Sequence, residues 1–74
     1  MKFSVKLVGA LRVGRFTEKF LDYPDNTKVE KVVADLDLPE NMLGIVLING
    51  LHASEQSILK EGDALVLLPL LGGG

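Results

Sequence analysis

The chain is expected to fold as one α+β domain, a mixed sheet of four to five strands with one main helix packed on one face. Three patterns in its 74 residues carry that expectation: an alternating N-terminus, a single amphipathic helical stripe, and short apolar runs parted by turn residues in the second half. Residues 2–7 set Lys2, Ser4 and Lys6 against Phe3, Val5 and Leu7, a period of two that puts the apolar set on one face of a half-buried strand. Gly9 and Gly14 bracket a turn region, and the aromatic and β-branched stretch Arg15 to Tyr23 returns as the second strand of a hairpin. Pro24-Asp25-Asn26 breaks that strand, and Thr27 followed three residues later by Glu30 matches the capping box of a helix start. Val29, Val32, Val33 and Leu36 then fall at helical spacing on one stripe, with Lys28, Glu30, Lys31 and Asp35 on the wet side, and Pro39 stops the helix.

Ile45 to Ile48 is an apolar run too short for a helix, and it leads into Asn49-Gly50, a two-residue hairpin turn in which both residues need positive φ. Leu51 to Ala53 is the returning strand. A second turn, Glu61-Gly62-Asp63, precedes the apolar strand Ala64 to Leu68, and Pro69 ends ladder pairing at its own nitrogen. A helix between two hairpins, crossing one face of a single mixed sheet, buries the helix stripe most simply. That is the β-grasp arrangement, with residues 1–71 as the domain and residues 72–74 as a flexible glycine tail.

Composition bounds what such a domain can do. At this length the fold buries only about 60% of the surface its unfolded form exposes, so one modest core is all it can build. No cysteine is present, which excludes a disulfide framework, a thiolate nucleophile and a zinc knuckle. The net charge of -2 lacks the basic footprint of a nucleic-acid binder. No apolar run reaches the length of a membrane helix, and the N-terminus lacks a signal-peptide block, so a soluble cytoplasmic protein is expected. Residues 1–37 carry seven Lys/Arg and six Asp/Glu, a net of +1, whereas residues 38–74 set Lys60 against Glu40, Glu55, Glu61 and Asp63, a net of -3. An acidic flank of this kind is either a solvated surface or a guide for a basic partner.

The usual catalytic groups are nearly absent. His52 is the only histidine, too few for a zinc site, and it reads as a surface residue beside the hairpin turn. Ser54, Ser57 and Asp63 lie near it in sequence, but proximity alone gives no nucleophile-to-base geometry. Glu61 and Asp63 flank a turn glycine, and Gly9 and Gly14 belong to no phosphate-binding motif. What remains is the C-terminus. The strand runs directly into Leu70, Leu71 and then Gly72-Gly73-Gly74, so the fold presents a tail without side chains, able to enter a channel too narrow for any Cβ. The reactive group it carries is the terminal carboxylate, whose pKa of about 3.3 to 3.7 makes it an anion and a poor electrophile until it is activated, for instance as an acyl-adenylate. Activation implies a partner enzyme.

These residues resemble the ubiquitin-like sulfur carriers of the MoaD/ThiS family, the small subunit of molybdopterin synthase and the thiamine sulfur carrier. The resemblance spans essentially the whole chain: the opening strand MKFSVKLVGALR, Ile48-Asn49-Gly50, the Glu61-Gly62-Asp63 turn, the final strand LVLLP and the terminal Gly73-Gly74. It implies a ubiquitin-like β-grasp and a protein that is a carrier rather than a free-standing enzyme. The Gly74 carboxylate would be adenylated by an activating enzyme that uses ATP and Mg, converted to a thiocarboxylate with sulfur from a donor protein, and used to give up that sulfur. Gly73 takes the penultimate family glycine and Gly72 the place of a small residue. The Leu-Pro-Leu-Leu run is similar to molybdopterin-type endings, with Pro69 at the first proline and Leu70 at the second. The resemblance therefore implies sulfur delivery to molybdopterin, for molybdenum or tungsten cofactor, with the molybdopterin synthase large subunit as acceptor. The alternatives are thiamine sulfur transfer with thiazole synthase, and a ubiquitin-like modifier conjugated through Gly74. The chain itself would bind no cofactor or metal.

The final strand also bears on partners. Ala64, Val66 and Leu68 share one face, Leu65 and Leu67 the other, and both are apolar although one helix covers only one sheet face. Either the second face docks a partner or loops cover it. In the docking reading, Leu67, Pro69, Leu70 and Leu71 anchor the activating enzyme or synthase subunit.

Overall fold

The alternation at the N-terminus becomes strand β1, Lys2–Leu7, with Phe3, Val5 and Leu7 buried and Lys2 and Lys6 exposed. This is a computed structural model, and it describes residues 1–70. β1 pairs antiparallel with β2, Glu18–Asp22, placing Lys2 opposite Asp22 and Lys6 opposite Glu18. The second strand is shorter than the expected Arg15 to Tyr23. A 3₁₀ turn over Gly9–Arg12 buries Leu11, and the Arg15 guanidinium donates to the carbonyls of Leu11, Val13 and Asp37 at 3.4, 3.2 and 3.0 Å. These bonds hold Arg15 to the loop and to the end of the helix instead of the sheet.

The helix α1, Val29–Asp35, buries Val29, Val32 and Val33 as its spacing predicts. The capping box does not form. Lys28 occupies the N-cap position without a side-chain bond, and the Thr27 hydroxyl donates backward to the Pro24 carbonyl at 2.7 Å. The first helical N–H groups instead donate to a distant loop, Val29 to the Ser57 carbonyl at 3.0 Å and Glu30 to that of Glu55 at 2.8 Å. These carbonyls satisfy the donors that a helix start leaves unpaired. At the other end Asp37, at φ 55°, turns the chain before Pro39 is reached. Its N–H donates to Ala34 and that of Leu38 to Val33, the paired bonds of a Schellman motif.

β3, Leu43–Ile48, and β4, Leu51–Ala53, are joined by Asn49 and Gly50 at φ 54° and 81°, the positive values that the two-residue turn requires. β5, Ala64–Pro69, completes one sheet in the order β2-β1-β5-β3-β4, parallel to β1 and antiparallel to β3. The ladder does not end at Pro69: that residue pairs with Leu43, and the Leu70 N–H donates to the Met42 carbonyl at 2.7 Å. Phe3, Val5, Leu7, Leu65 and Leu67 meet Val29, Val32 and Val33 in one core, closed by Leu11 and Leu59. The β-grasp expectation holds, with five strands. Among the described residues no helix is long and apolar enough to cross a membrane.

Candidate functional site

The site expected from sequence is the end of β5 together with the tail beyond it. β5 lies between β1 and β3, and it keeps contact with both as it leaves the sheet. On the β1 side the Val8 N–H donates to the Leu67 carbonyl at 3.1 Å, and a Cβ placed on Gly9 falls 3.3 Å from Cγ of Pro69. On the β3 side Met42 accepts the Leu70 N–H, and Gly44 lies against the backbone of Pro69 and Leu70. The Leu70 side chain is 57% exposed. Leu71 and Gly72, Gly73 and Gly74, with the expectations placed on them, lie outside the described residues.

The two faces of β5 have different fates. Leu65 and Leu67 are fully buried, because their register partners Val5, Leu7, Val46 and Ile48 point the same way, toward α1. Leu67 therefore offers nothing to a partner, which corrects its expected role as an anchor. The opposite face carries Val66 and Leu68, half-buried, paired across the ladder with Leu47 and Ile45. No element of the described residues covers this face, and it extends over Ser4 of β1 to Phe20 of β2, which is 76% exposed. Leu70 continues it toward the C-terminus, while the Pro69 ring lies on the Gly9 side. Lys2 and Lys6 sit on the same face opposite Asp22 and Glu18, so the apolar strip is flanked by charges of both signs.

Part of the acidic C-terminal half serves the fold. Asp63 is 9% exposed; its carboxylate accepts from the Asn49 amide at 3.0 Å and from the Lys60 N–H at 2.8 Å. Glu61 accepts the Lys2 N–H at 2.9 Å. Asp63 is thus built into the fold, whereas Glu61 stays exposed and keeps its charge at the surface. Asn49 completes the lock by accepting the Ala64 N–H on its side-chain oxygen at 2.9 Å. The sequence marks Asn49 by its turn geometry and by the resemblance but not by these bonds; the signal for Gly44 is that an isolated glycine inside a strand run marks a bulge or a close backbone approach.

The other titratable groups do not assemble. His52 is exposed on β4 opposite Leu47, while Ser54 and Ser57 are spent on their own loop, accepting the N–H groups of Gln56 and Ser54 at 3.2 and 3.0 Å. With Asp63 held by Asn49 and Lys60, no triad forms. Among the described residues no group of three His, Asp or Glu is placed to hold a metal ion. One pair is perturbed for a structural reason. Tyr23 donates to Asp35 at 2.8 Å; burial first, and then that bond, push the Tyr23 phenol up to about 12, and the same bond holds the Asp35 carboxyl below its ordinary value.

Known proteins share this architecture. A model of the ThiS family matches residues 5–74. A search of curated proteins finds no match. Among solved structures, SAMP1, small archaeal modifier protein 1, of Haloferax volcanii is similar with a TM-score of 0.73 at 23% identity, each chain covered fully. The HVO 2177 protein of the same organism gives 0.81 at 22% identity, over 100% of this chain and 87% of that one. A chain from the complex of subunits 1 and 2 of the molybdopterin-converting factor of Helicobacter pylori gives 0.69 at 21%, each chain again covered fully. At these identities the structural likeness shows the shared fold.

Proposed function

The chain belongs to the ThiS family, and from that membership we propose that it is a ubiquitin-like sulfur carrier whose Gly74 carboxylate is adenylated and converted to a thiocarboxylate for molybdopterin biosynthesis. The observation that carries this reading is the course of β5, the central strand, which is bonded on the β1 side as far as Leu67 and on the β3 side as far as Leu70 and is followed in sequence by Leu71 and three glycines. A rigid scaffold with a side-chain-free end suits a carrier whose chemistry happens in another protein's site. A Gly74 carboxylate oxygen attacks the α-phosphate of ATP, pyrophosphate leaves, and the acyl-adenylate makes the last carbon electrophilic. A sulfur nucleophile at the hydrosulfide level then displaces AMP and gives its proton to solvent, leaving the thiocarboxylate. ATP and Mg belong to the activating enzyme in this scheme. The chain contributes the tail and the docking face of Ile45, Leu47, Val66 and Leu68.

The Helicobacter pylori protein in complex with its second subunit supports a molybdopterin synthase large subunit as the acceptor. Thiazole synthase takes that place if the sulfur goes to thiamine. A second reading, a modifier that forms isopeptide bonds through Gly74, is favoured by the likeness to SAMP1.

Intact-mass measurement after incubation with the cognate activating enzyme, ATP, Mg and sulfide tests the proposal. A carrier gains the mass of sulfur less that of oxygen, and a chain lacking Gly73 and Gly74 folds as before and gains nothing. Conjugate ladders in cell extract without that mass change establish the modifier. A full-length chain that stays unmodified beside an enzyme active on another carrier overturns both.

A further inference from the structure

Gly44 occupies a position that the neighbouring strand closes to any side chain. The pairing of β3 with β5 runs Ile48 with Leu65 through Ile45 with Leu68, and then Leu43 with Pro69, so β3 holds one residue more than its partner and Gly44 is the bulge. A Cβ built there falls 2.9 Å from Leu70 Cα, from Leu70 N and from Pro69 O. All three are backbone atoms, which cannot swing aside as the end of a flexible side chain does. Across β5, Gly9 at φ 59° leaves room for the Pro69 ring, 3.3 Å from where its own Cβ would stand. Between these contacts the Leu70 N–H reaches the Met42 carbonyl at 2.7 Å. The last two described residues are thus held between the 3₁₀ turn that follows β1 and the start of β3.

Past Leu70 come Leu71, Gly72, Gly73 and Gly74, and glycine imposes little direction of its own. Residues 71–74 reach at most about 14 Å from Leu70. The line on which the chain leaves the sheet is therefore set at Pro69 and Leu70. We propose that Gly44 is a positioning residue for activation: by admitting the Pro69–Leu70 backbone against β3, it aims the tail so that the Gly74 carboxylate arrives at the activating enzyme's nucleotide. This rests on the reading that Gly74 is adenylated. Gly44 adds no side chain to the neighbouring docking face of Ile45, Leu47, Val66 and Leu68, so an error in aim leaves those side chains in place and slows the chemical step.

The test uses the full-length chain with its activating enzyme, ATP and Mg, following pyrophosphate release alongside hydrogen exchange at the Leu70 and Leu65 amides. Gly44→Ala lowers kcat about tenfold or more and moves KM by less than about threefold, since small misplacements of reacting groups cost rate before they cost binding. Its Leu70 amide exchanges faster while that of Leu65 stays protected. Pro69→Ala frees the same segment without adding a heavy atom, and shifts kcat and Leu70 exchange in the same direction by less; it decides the matter alone if Gly44→Ala does not fold. Wild-type kcat in a variant whose Leu70 amide has lost protection, or a loss confined to KM, overturns the inference and leaves the carrier reading standing. A wild-type chain that is not adenylated overturns the carrier reading, and this inference with it.

Discussion

Asn49 carries two demands at once. Its backbone turns through φ 54°, and its amide joins the hairpin to the start of β5 by donating to Asp63 and accepting from Ala64. Asn49→Ala removes both bonds and leaves a buried carboxylate oxygen and a backbone N–H unpaired, a loss of about 2–3 kcal/mol. Asn49→Gly loses the same bonds but relieves the left-handed backbone, so it is the milder variant by about 1 kcal/mol. Urea unfolding of the pair checks that order, and equal losses would show that the backbone conformation contributes nothing. Asp37 reverses the sign. Its φ of 55° closes the Schellman turn, and the bonds there use its backbone, including the carbonyl that Arg15 reaches. Asp37→Gly is expected to raise stability by about 0.5–1 kcal/mol, read as a higher unfolding midpoint. The turn at Asn49-Gly50 is legible in the sequence because two adjacent positive φ values select those residue types. The reach of the Asn49 amide to Asp63 is not, because it depends on where the chain returns after fourteen residues.

At the level of elements, α1 is held by its neighbours. Seven residues are too few for an isolated helix to persist in water, so its ends must be bonded from outside. The valine stripe of α1 is plain in the sequence because burial against a sheet imposes the helical period. The capping is hidden because the carbonyls of Glu55 and Ser57 arrive from a loop more than two dozen residues away and displace the local Thr27–Glu30 arrangement. The other tie is Tyr23, which joins the end of β2 to Asp35 and leans on Phe3 with ring centroids 5.7 Å apart. Its phenol is raised to about 12. A raised folded value means that its contribution is complete below the ordinary tyrosine pKa of about 10 and is lost as pH climbs through that of the folded state. Asp35 is lowered, first by the Tyr23 bond and then by Lys31. Its contribution is present above the ordinary carboxylate pKa of about 4 and fades as pH falls below it. The stability difference between wild type and Tyr23→Phe is therefore a plateau near neutrality that narrows at both extremes. Urea midpoints from acid to strong alkali measure it, and a difference flat across that range removes the Tyr23–Asp35 bond from the account.

Across the whole molecule, β5 divides two tasks between its faces. Both read as apolar, so the alternation shows two buried or bindable sides without saying which meets the helix. Only the pairing with β1 and β3 assigns Leu65 and Leu67 to the core and Val66 and Leu68 to the open side. Neighbouring residues of the same type should then fail differently. Leu67→Ala opens a cavity under α1 and costs about 2–5 kcal/mol, a large share of what a domain of this size has to lose. Leu68→Ser loses the burial of a half-exposed side chain and costs about 1 kcal/mol. In the activation assay the order inverts for the folded proteins. Leu68→Ser raises KM for the activating enzyme about tenfold with kcat held, as removal of an interface anchor does, whereas folded Leu67→Ala keeps its KM. That outcome would assign capture to the outer face and leave aim to the exit beside Gly44. A Leu68→Ser protein with wild-type KM would place the docking surface elsewhere on the molecule and dissolve that division.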